Sequence, residues 1–424
     1  MRVLFLNQCF YPDVVSTGQH LTDLAVALAE HDHQVTVMAS NRGYDDPQVR
    51  FAKRECWKGI EIVRLPSFAF GKTARWRRAF NFASLLIIYL LRLAITPRQD
   101  VVVAMTSPPL IAFAATLFVQ VKGGRLIHWI MDMNPDEAVA AGWLRERSLA
   151  TRTLDGLQHF ALRKADTVVA LDRFAYKRLV EKGIDPGKLE TISPWSHYDA
   201  VNYDDAARKA FRARHDLTDK FVVMHSGNHS PCHPLNTLLE AAERLRAMPE
   251  IVFCFIGGGS EFGKVRQFAL SRKLKNVVCL PYQPREQLSA SLSAGDLHVV
   301  VMGDRFVGIV HPCKIYNVLR IGSPFLYIGP AESHVTDIMA AINSNRKACT
   351  SAHGEVDEVA QQITNAARQG LRRSERKMVA AADCFSTNQL AKMVQVVEAS
   401  NSTPASEKLL VAAGIRSERD QPVA

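Results

Sequence analysis

Short apolar runs alternate with stretches of helical period from the first residues onward. VLFLN leads into LTDLAVALAEH, and VTVMAS, IEIVRL, VVVAMTS, RLIHWIMD, TVVAL and ETISPW follow, with the helical pattern DRFAYKRLVEKG after TVVAL. Runs that are apolar throughout belong to strands covered on both faces, so the alternation predicts a parallel sheet between helices. The pattern breaks after Trp195, in SHYDAVNYDD, and restarts with KFVVMHSG, IVFCFIGGG, NVVCLPY, DLHVVVM and SPFLYIG, separated by helical stretches such as NTLLEAAERLRAM and KIYNVLRIG. The expected fold class is α/β, two Rossmann-like domains facing across a cleft. They are placed at residues 1–200 and 201–380, with a C-terminal helix at 381–400 returning to the first domain and a disordered tail at 401–424.

Length and composition agree: 424 residues suit two domains, and 47% apolar with 22% charged residues suits a globular enzyme and not a disordered or fibrous chain. The cysteines, at 9, 56, 232, 254, 279, 313, 349 and 384, are scattered singly and read as thiols of a reducing compartment, not a disulfide framework. MRVLFLNQCFYPDVV reads as a first strand and not as a signal peptide, so the cytoplasm is the expected location. The longest apolar candidate, Leu85 to Ile95, contains Arg92 and falls short of the roughly 20 residues a bilayer span needs.

Net charge is +10, and part of the excess, Lys72, Arg75, Arg77 and Arg78 around Trp76, directly precedes that apolar stretch. The segment Lys72 to Ile95 suits peripheral contact with the inner face of a membrane or an acceptor carrying phosphate. A crossover helix buried on the sheet would have the same pattern. Nucleic acid is not expected, because the basic residues are not interleaved with stacking aromatics.

Four loops carry candidate chemistry. Ser16, Thr17 and Gly18 open the first helix, where free N–H groups favour an anion or a sugar oxygen, although Ser16 or Thr17 could serve only as a cap. In the second domain Gly227, Asn228 and His229 follow a strand at the position of a phosphate loop. His225, His229, Cys232 and His233 lie within nine residues, but ligands so close on one strand end and loop rarely converge tetrahedrally, so no metal is expected. Gly257, Gly258 and Gly259 end another strand, as either a nucleotide-facing or a plain turn. Gly308, Lys314, Tyr316 and Asn317 surround a helix start, where Lys314 can stabilise a departing diphosphate. Tyr282 and Gln283 sit where a base would be read through backbone groups.

In this order the motifs resemble the retaining family-four glycosyltransferases of the GT-B fold, in particular the bacterial surface-polysaccharide branch with its fucosamine and colanic-acid transferases. The motifs are Thr106-Ser107-Pro108-Pro109, Asp132-Met133-Asn134-Pro135-Asp136, Pro194-Trp195, Gly227-Asn228, Pro312-Cys313-Lys314-Ile315-Tyr316 and Gly322-Ser323-Pro324. The resemblance spans Met1 to about Met393. It departs from the family where two glutamates are usual: those positions fall near Ile309 and Asn317, and neither is acidic. The usual phosphate-loop Arg and Lys are replaced by Asn228 and the 229–233 segment.

The resemblance implies transfer from a UDP- or GDP-sugar with retention, without metal or other cofactor, to a glycan acceptor, with a polyprenyl-diphosphate carrier the one suggested by the basic apolar segment. Lys314 is the expected electrostatic catalyst, and Asp132, at a strand end, is expected to orient or deprotonate the acceptor hydroxyl or else to serve as a turn residue. His128 reads as a core histidine and Trp195 as hinge packing. A nucleotide-sugar epimerase and a non-catalytic nucleotide-sugar-binding partner of another transferase stay open beside the transferase.

Overall fold

Eight strands form the first sheet of the computed structural model, which describes residues 1–13, 15–44, 46, 48–68, 75–195, 201–342, 349–369 and 388–399. They are β1 (Arg2–Leu6), β2 (Gln34–Ser40), β3 (Arg54–Trp57), β4 (Ile60–Leu65), β5 (Val101–Ala104), β6 (Arg125–Trp129), β7 (Thr167–Ala170) and β8 (Leu189–Thr191), in the order β3-β4-β2-β1-β5-β6-β7-β8. All pairings are parallel except β3 with β4. Val3 and Phe5 of β1 point to one apolar layer and Leu4 and Leu6 to the other, which is why that strand is apolar throughout.

The helices of this domain are α1 (Ser16–Glu30), α2 (Arg75–Ala94), α3 (Ile111–Lys122), α4 (Asp136–Ala140), α5 (Leu149–Lys164) and α6 (Arg173–Glu181). On α2 the residues Leu85, Tyr89 and Leu93, four apart, are buried on the sheet, and the Tyr89 hydroxyl lies 2.8 Å from the Asn7 carbonyl oxygen. The opposite side leaves Phe80, Ile87, Leu91 and, just past the helix, Ile95 exposed. Among the described residues no helix is long and apolar enough to cross a membrane. Lys72, the side chains of Arg75, Trp76 and Arg78, and the tail 401–424 lie outside the described residues.

The second domain repeats the plan with α7 (Asp205–Arg214), β9 (Phe221–Asn228), α8 (Asn236–Arg244), β10 (Ile251–Gly258), α9 (Phe262–Ser271), β11 (Val277–Leu280), α10 (Leu288–Ser293) and β12 (Leu297–Val301). It continues through α11 (Lys314–Arg320), β13 (Phe325–Ile328), α12 (His334–Ile342), β14 (Cys349–Ser351) and α13 (Val356–Gln369). Its strands run β11-β10-β9-β12-β13-β14, all parallel.

A last helix, α14, covers 388–398 and packs on the first domain, where Met393, Val394 and Val397 join the layer of Val3 and Phe5. The Arg125 guanidinium donates to the Val396 carbonyl at 2.7 Å, and Glu398 meets His31 and His33 at 2.9 Å each. All five tryptophans precede residue 201, so their fluorescence reports the first domain alone. Met393→Ala, at a fully buried position, is expected to lower the stability read by that fluorescence in urea by about 2 kcal/mol or more, through lost transfer energy and a cavity.

Candidate active site

Both strand orders reverse at one point. In the first sheet β1 separates β2 from β5, and in the second β9 separates β10 from β12, so successive connections diverge and leave a crevice beyond the carboxyl ends of the strands. The two crevices face each other across one cavity of about 780 Å³.

On the second domain's side the wall includes Gly227, Asn228, Gly258, Tyr282, Gln283, Lys314 and Asn317. Lys314 and Asn317 lie one turn apart on α11 and share its cavity face. A Cβ placed on Gly227 would lie 3.7 Å from Lys314 Nζ, so the end of β9 forms the floor beneath this ammonium. Lys314 Nζ donates to His225 Nε2 at 3.0 Å, an acceptor left available because Nδ1 of the same ring donates to the Val299 carbonyl at 3.0 Å. Burial pulls Lys314 down to about 7. Burial, followed by the nearby Lys314 charge, holds His225 and His233 well below the usual imidazole range and His229 at about 4. One cation thus stands among neutral rings. Each of the three also donates Nδ1–H to a backbone carbonyl, of Val299, Gly227 and Val301, and does not present it to a shared ion.

On the first domain's side Asp132 lies at the strand-end turn after β6, its N–H facing the Thr106 hydroxyl at 3.3 Å, and burial raises its carboxyl to about 6. Ser16 and Thr17 line the cavity at the start of α1. Neither caps that helix, because the cap position is Val15, without a side-chain bond. Ser16 bonds instead to the Cys313 thiol across the cleft.

Six expected contact residues are placed elsewhere. Gly18 sits under the chain at Cys9, where a Cβ would stand 3.3 Å from backbone carbon, so its small size serves packing and not ligand approach. His229 is fully buried with Nδ1 committed to the Gly227 carbonyl at 2.9 Å, and it has no proton aimed at the cavity. Gly257 lets β9 and β10 close together, since a Cβ there would fall 2.0 Å from the Gly227 carbonyl oxygen. Gly308 and Ile309 lie against the first domain: a Cβ on Gly308 would be 2.7 Å from the Phe174 carbonyl oxygen, and Ile309 joins the layer of Leu4 and Leu6. Tyr316 points away from the cavity, on the side of α11 that packs with Ile315 and Leu319.

Sequence reasoning missed Glu137 and Ser260 in the wall, whereas His233, singled out as part of the 229–233 segment, does line it. Glu137 was legible as the neighbour of Asp136 in the quoted motif. Asp136 itself turns to Lys182 at 3.0 Å and Arg178 at 3.5 Å. His128 is buried in the sheet, held down to about 4 by burial, and Trp195 stacks on Trp129 at 5.7 Å while its indole N–H donates to Asp23 at 2.9 Å.

Comparison with known proteins falls on the same two halves. A "Glycosyl transferase 4-like domain" matches residues 17–195 and "Glycosyl transferases group 1" matches residues 207–310. The chain is a family-four glycosyltransferase. The transferase is 24% identical over 339 residues, 76% of its length and 82% of the other's, to WcaI of Escherichia coli (strain K12), named as a colanic acid biosynthesis glycosyl transferase. It is 25% identical over 242 residues, 57% of its length and 60% of the other's, to WbjE of Pseudomonas aeruginosa, named as a glycosyltransferase.

Among solved structures, sucrose-phosphate synthase of Thermosynechococcus elongatus aligns with TM-score 0.72 at 13% identity, over 97% of the transferase and 100% of that chain. HepE of Anabaena in complex with UDP-glucose aligns with TM-score 0.66 at 15% identity, over 93% and 98%. WaaG, a glycosyltransferase involved in lipopolysaccharide biosynthesis, aligns with TM-score 0.62 at 16% identity, over 94% and 100%. The shared fold is GT-B. Of the two positions where family resemblance placed glutamates, Ile309 is locked into the first domain's core and Asn317 alone faces the cavity.

Two titrating groups line the cavity from opposite domains, Asp132 and Lys314. Below about 6 Asp132 carries a proton and cannot accept one, and above about 7 Lys314 loses its charge. For the transferase, kcat/KM is expected to be bell-shaped with its maximum between these values. Lys314→Arg, which keeps its charge, should retain the acid limb and lose the alkaline one.

Proposed function

We propose that the transferase moves a sugar from a UDP- or GDP-sugar to a polyprenyl-diphosphate-linked glycan at the inner face of a membrane, with retention, in surface-polysaccharide assembly. The observation that carries this reading is the Lys314 ammonium held over the Gly227 floor, opposite Asp132, in a cavity at the strand-order reversal of both sheets. Such a cation meets the β-phosphate where charge develops as the bond from C1 to the diphosphate oxygen breaks and its electron pair goes to that oxygen. The acceptor oxygen joins C1 from the same face, and its proton passes to the Asp132 carboxylate. Retention then needs positioning more than a strong base. Asn317 is assigned to the ribose and the Tyr282-Gln283 turn to the base.

HepE, crystallised with UDP-glucose, and the names of WcaI and WaaG support the donor class and the surface-glycan context. The membrane part rests on the exposed Phe80, Ile87, Leu91 and Ile95, accompanied by Arg77 on the same helix. An apolar stripe with basic neighbours partitions into an anionic interface without spanning it.

One of the uridine or guanosine diphosphates is expected to raise the melting temperature, and Lys314→Ala to abolish that rise. If no nucleoside diphosphate or nucleotide sugar does so, the UDP- or GDP-sugar donor reading is contradicted. Full-length protein is expected to float with vesicles containing anionic lipid, and Ile87→Asp/Leu91→Asp to stay in the soluble fraction; wild type that stays soluble contradicts the membrane reading.

A further inference from the structure

The connection between β12 and α11 belongs to the second domain by sequence and to the first by contact. The Val307 carbonyl accepts from Arg178 at 3.4 Å, Gly308 (φ 70°) packs on the Phe174 carbonyl, and Ile309 is buried among first-domain side chains. The Ile309 carbonyl accepts from the Met133 N–H at 2.9 Å, and Val310 forms a bridge with Asp132 itself. Two residues later the polypeptide enters Pro312-Cys313 and then Lys314.

The polar end of this strap is a buried relay. His311 Nδ1 donates to Asp172 Oδ2 at 2.7 Å, and His311 Nε2 faces the Tyr316 hydroxyl at 2.8 Å. The other carboxylate oxygen of Asp172 accepts from the N–H groups of Phe174 and Ala175 at 2.9 and 2.8 Å and caps α6. The Tyr316 hydroxyl also meets Ser193 of the first domain. His311 precedes Lys314 by three residues and Tyr316 follows it by two, so both sides of the turn that carries the ammonium are tied to the first domain.

We infer that Asp172 is a positioning residue for the donor clamp: through His311 and Tyr316 it fixes the turn bearing Lys314, so that the diphosphate site is assembled by the domain that binds the acceptor. This rests on the reading of Lys314 as the diphosphate clamp. A carboxylate that orients an imidazole, which in turn orients a third group, is a recurring way of holding a reactive side chain in register. Burial pushes Asp172 upward, but the His311 hydrogen bond, the His311 and His334 charges and the Ala175 N–H outweigh it and hold the carboxyl at about 2. The carboxylate is therefore ionised throughout the working range.

His334 stacks on His311 with centroids 3.7 Å apart and completes a cluster whose ligand atoms lie within 4.8 Å of one another. Two imidazoles on one tetrahedral ion would hold their centroids about 5 Å apart. The stack is therefore built for contact and not for shared coordination.

Asp172→Asn keeps an oxygen for the α6 cap and removes the charge that fixes His311, while Tyr316→Phe removes one hydroxyl. Affinity for the nucleoside diphosphate that stabilises the wild type is measured by calorimetry in wild type, Asp172→Asn, Lys314→Ala and the double variant, with melting temperatures alongside. Expected is a loss of about tenfold for Asp172→Asn in the wild-type background, the scale of coupling within one hydrogen-bond network, and almost none once Lys314 is absent. Equal losses in both backgrounds, or no loss in either, overturn the inference while leaving the clamp in place. Wild type that binds no nucleoside diphosphate overturns the clamp and the inference together. If Asp172→Asn does not fold, the same cycle with Tyr316→Phe decides.

Discussion

Holding one ammonium group at the floor of the cleft between two domains is the constraint around which the rest of the structure is arranged. The fold disfavours the charged form of Lys314, drawn down to about 7 by burial, and the same desolvation strengthens the field of the charged form on any anion placed beside it. Between that value and the ordinary lysine range the unfolded chain binds the proton and the folded chain does not, so the cost to stability is fully present below about 7 and fades as pH rises. A neutral imidazole as hydrogen-bond acceptor, a glycine floor and a turn pinned from outside its own domain all serve to keep the group in place without neutralising it.

That arrangement explains why the two domains are not merely tethered. A ligand site at the reversal of a single sheet needs one domain, but transfer needs donor and acceptor walls in fixed relation. Here the strap of Gly308 to His311 carries second-domain backbone into the first domain's core, and its contact partner Asp132 is a carboxylate that faces the cavity. The two walls of the cleft are thus joined by a few residues at its bottom.

Apolar runs buried on both faces are unambiguous in the sequence, and strands such as VLFLN, VVVAMTS and IVFCFIGGG appear in the structure in the parallel arrangement expected of them. Two of the four edge strands, β3 and β14, were harder to read. β3 alternates exposed and half-buried residues and pairs antiparallel with β4 through a turn at Lys58 and Gly59, both with positive φ, while β14 has only three residues. Short edge segments bury too little to stand out. Within the site, Asn228 and Asp132 were legible because they lie at or just beyond strand ends, and Lys314 because it opens a helix. Gly18, Gly257 and Gly308 were read as ligand-facing, and all three instead allow backbone to approach backbone, a distinction that composition cannot make. Tyr316 and Ile309 depended on which side of α11 and of its preceding loop faces the other domain, which is settled only by long-range packing.

The most direct test is a crystal structure of the full chain with a nucleoside diphosphate. Expected is the β-phosphate in hydrogen-bonding reach of Lys314 Nζ, above the end of β9 at Gly227 and Asn228, with the nucleoside toward Tyr282 and Gln283. A diphosphate seated instead on the first domain's wall, at Ser16 and Thr17, with Lys314 still bonded only to His225, would contradict the assignment of Lys314 as the group that receives the departing charge.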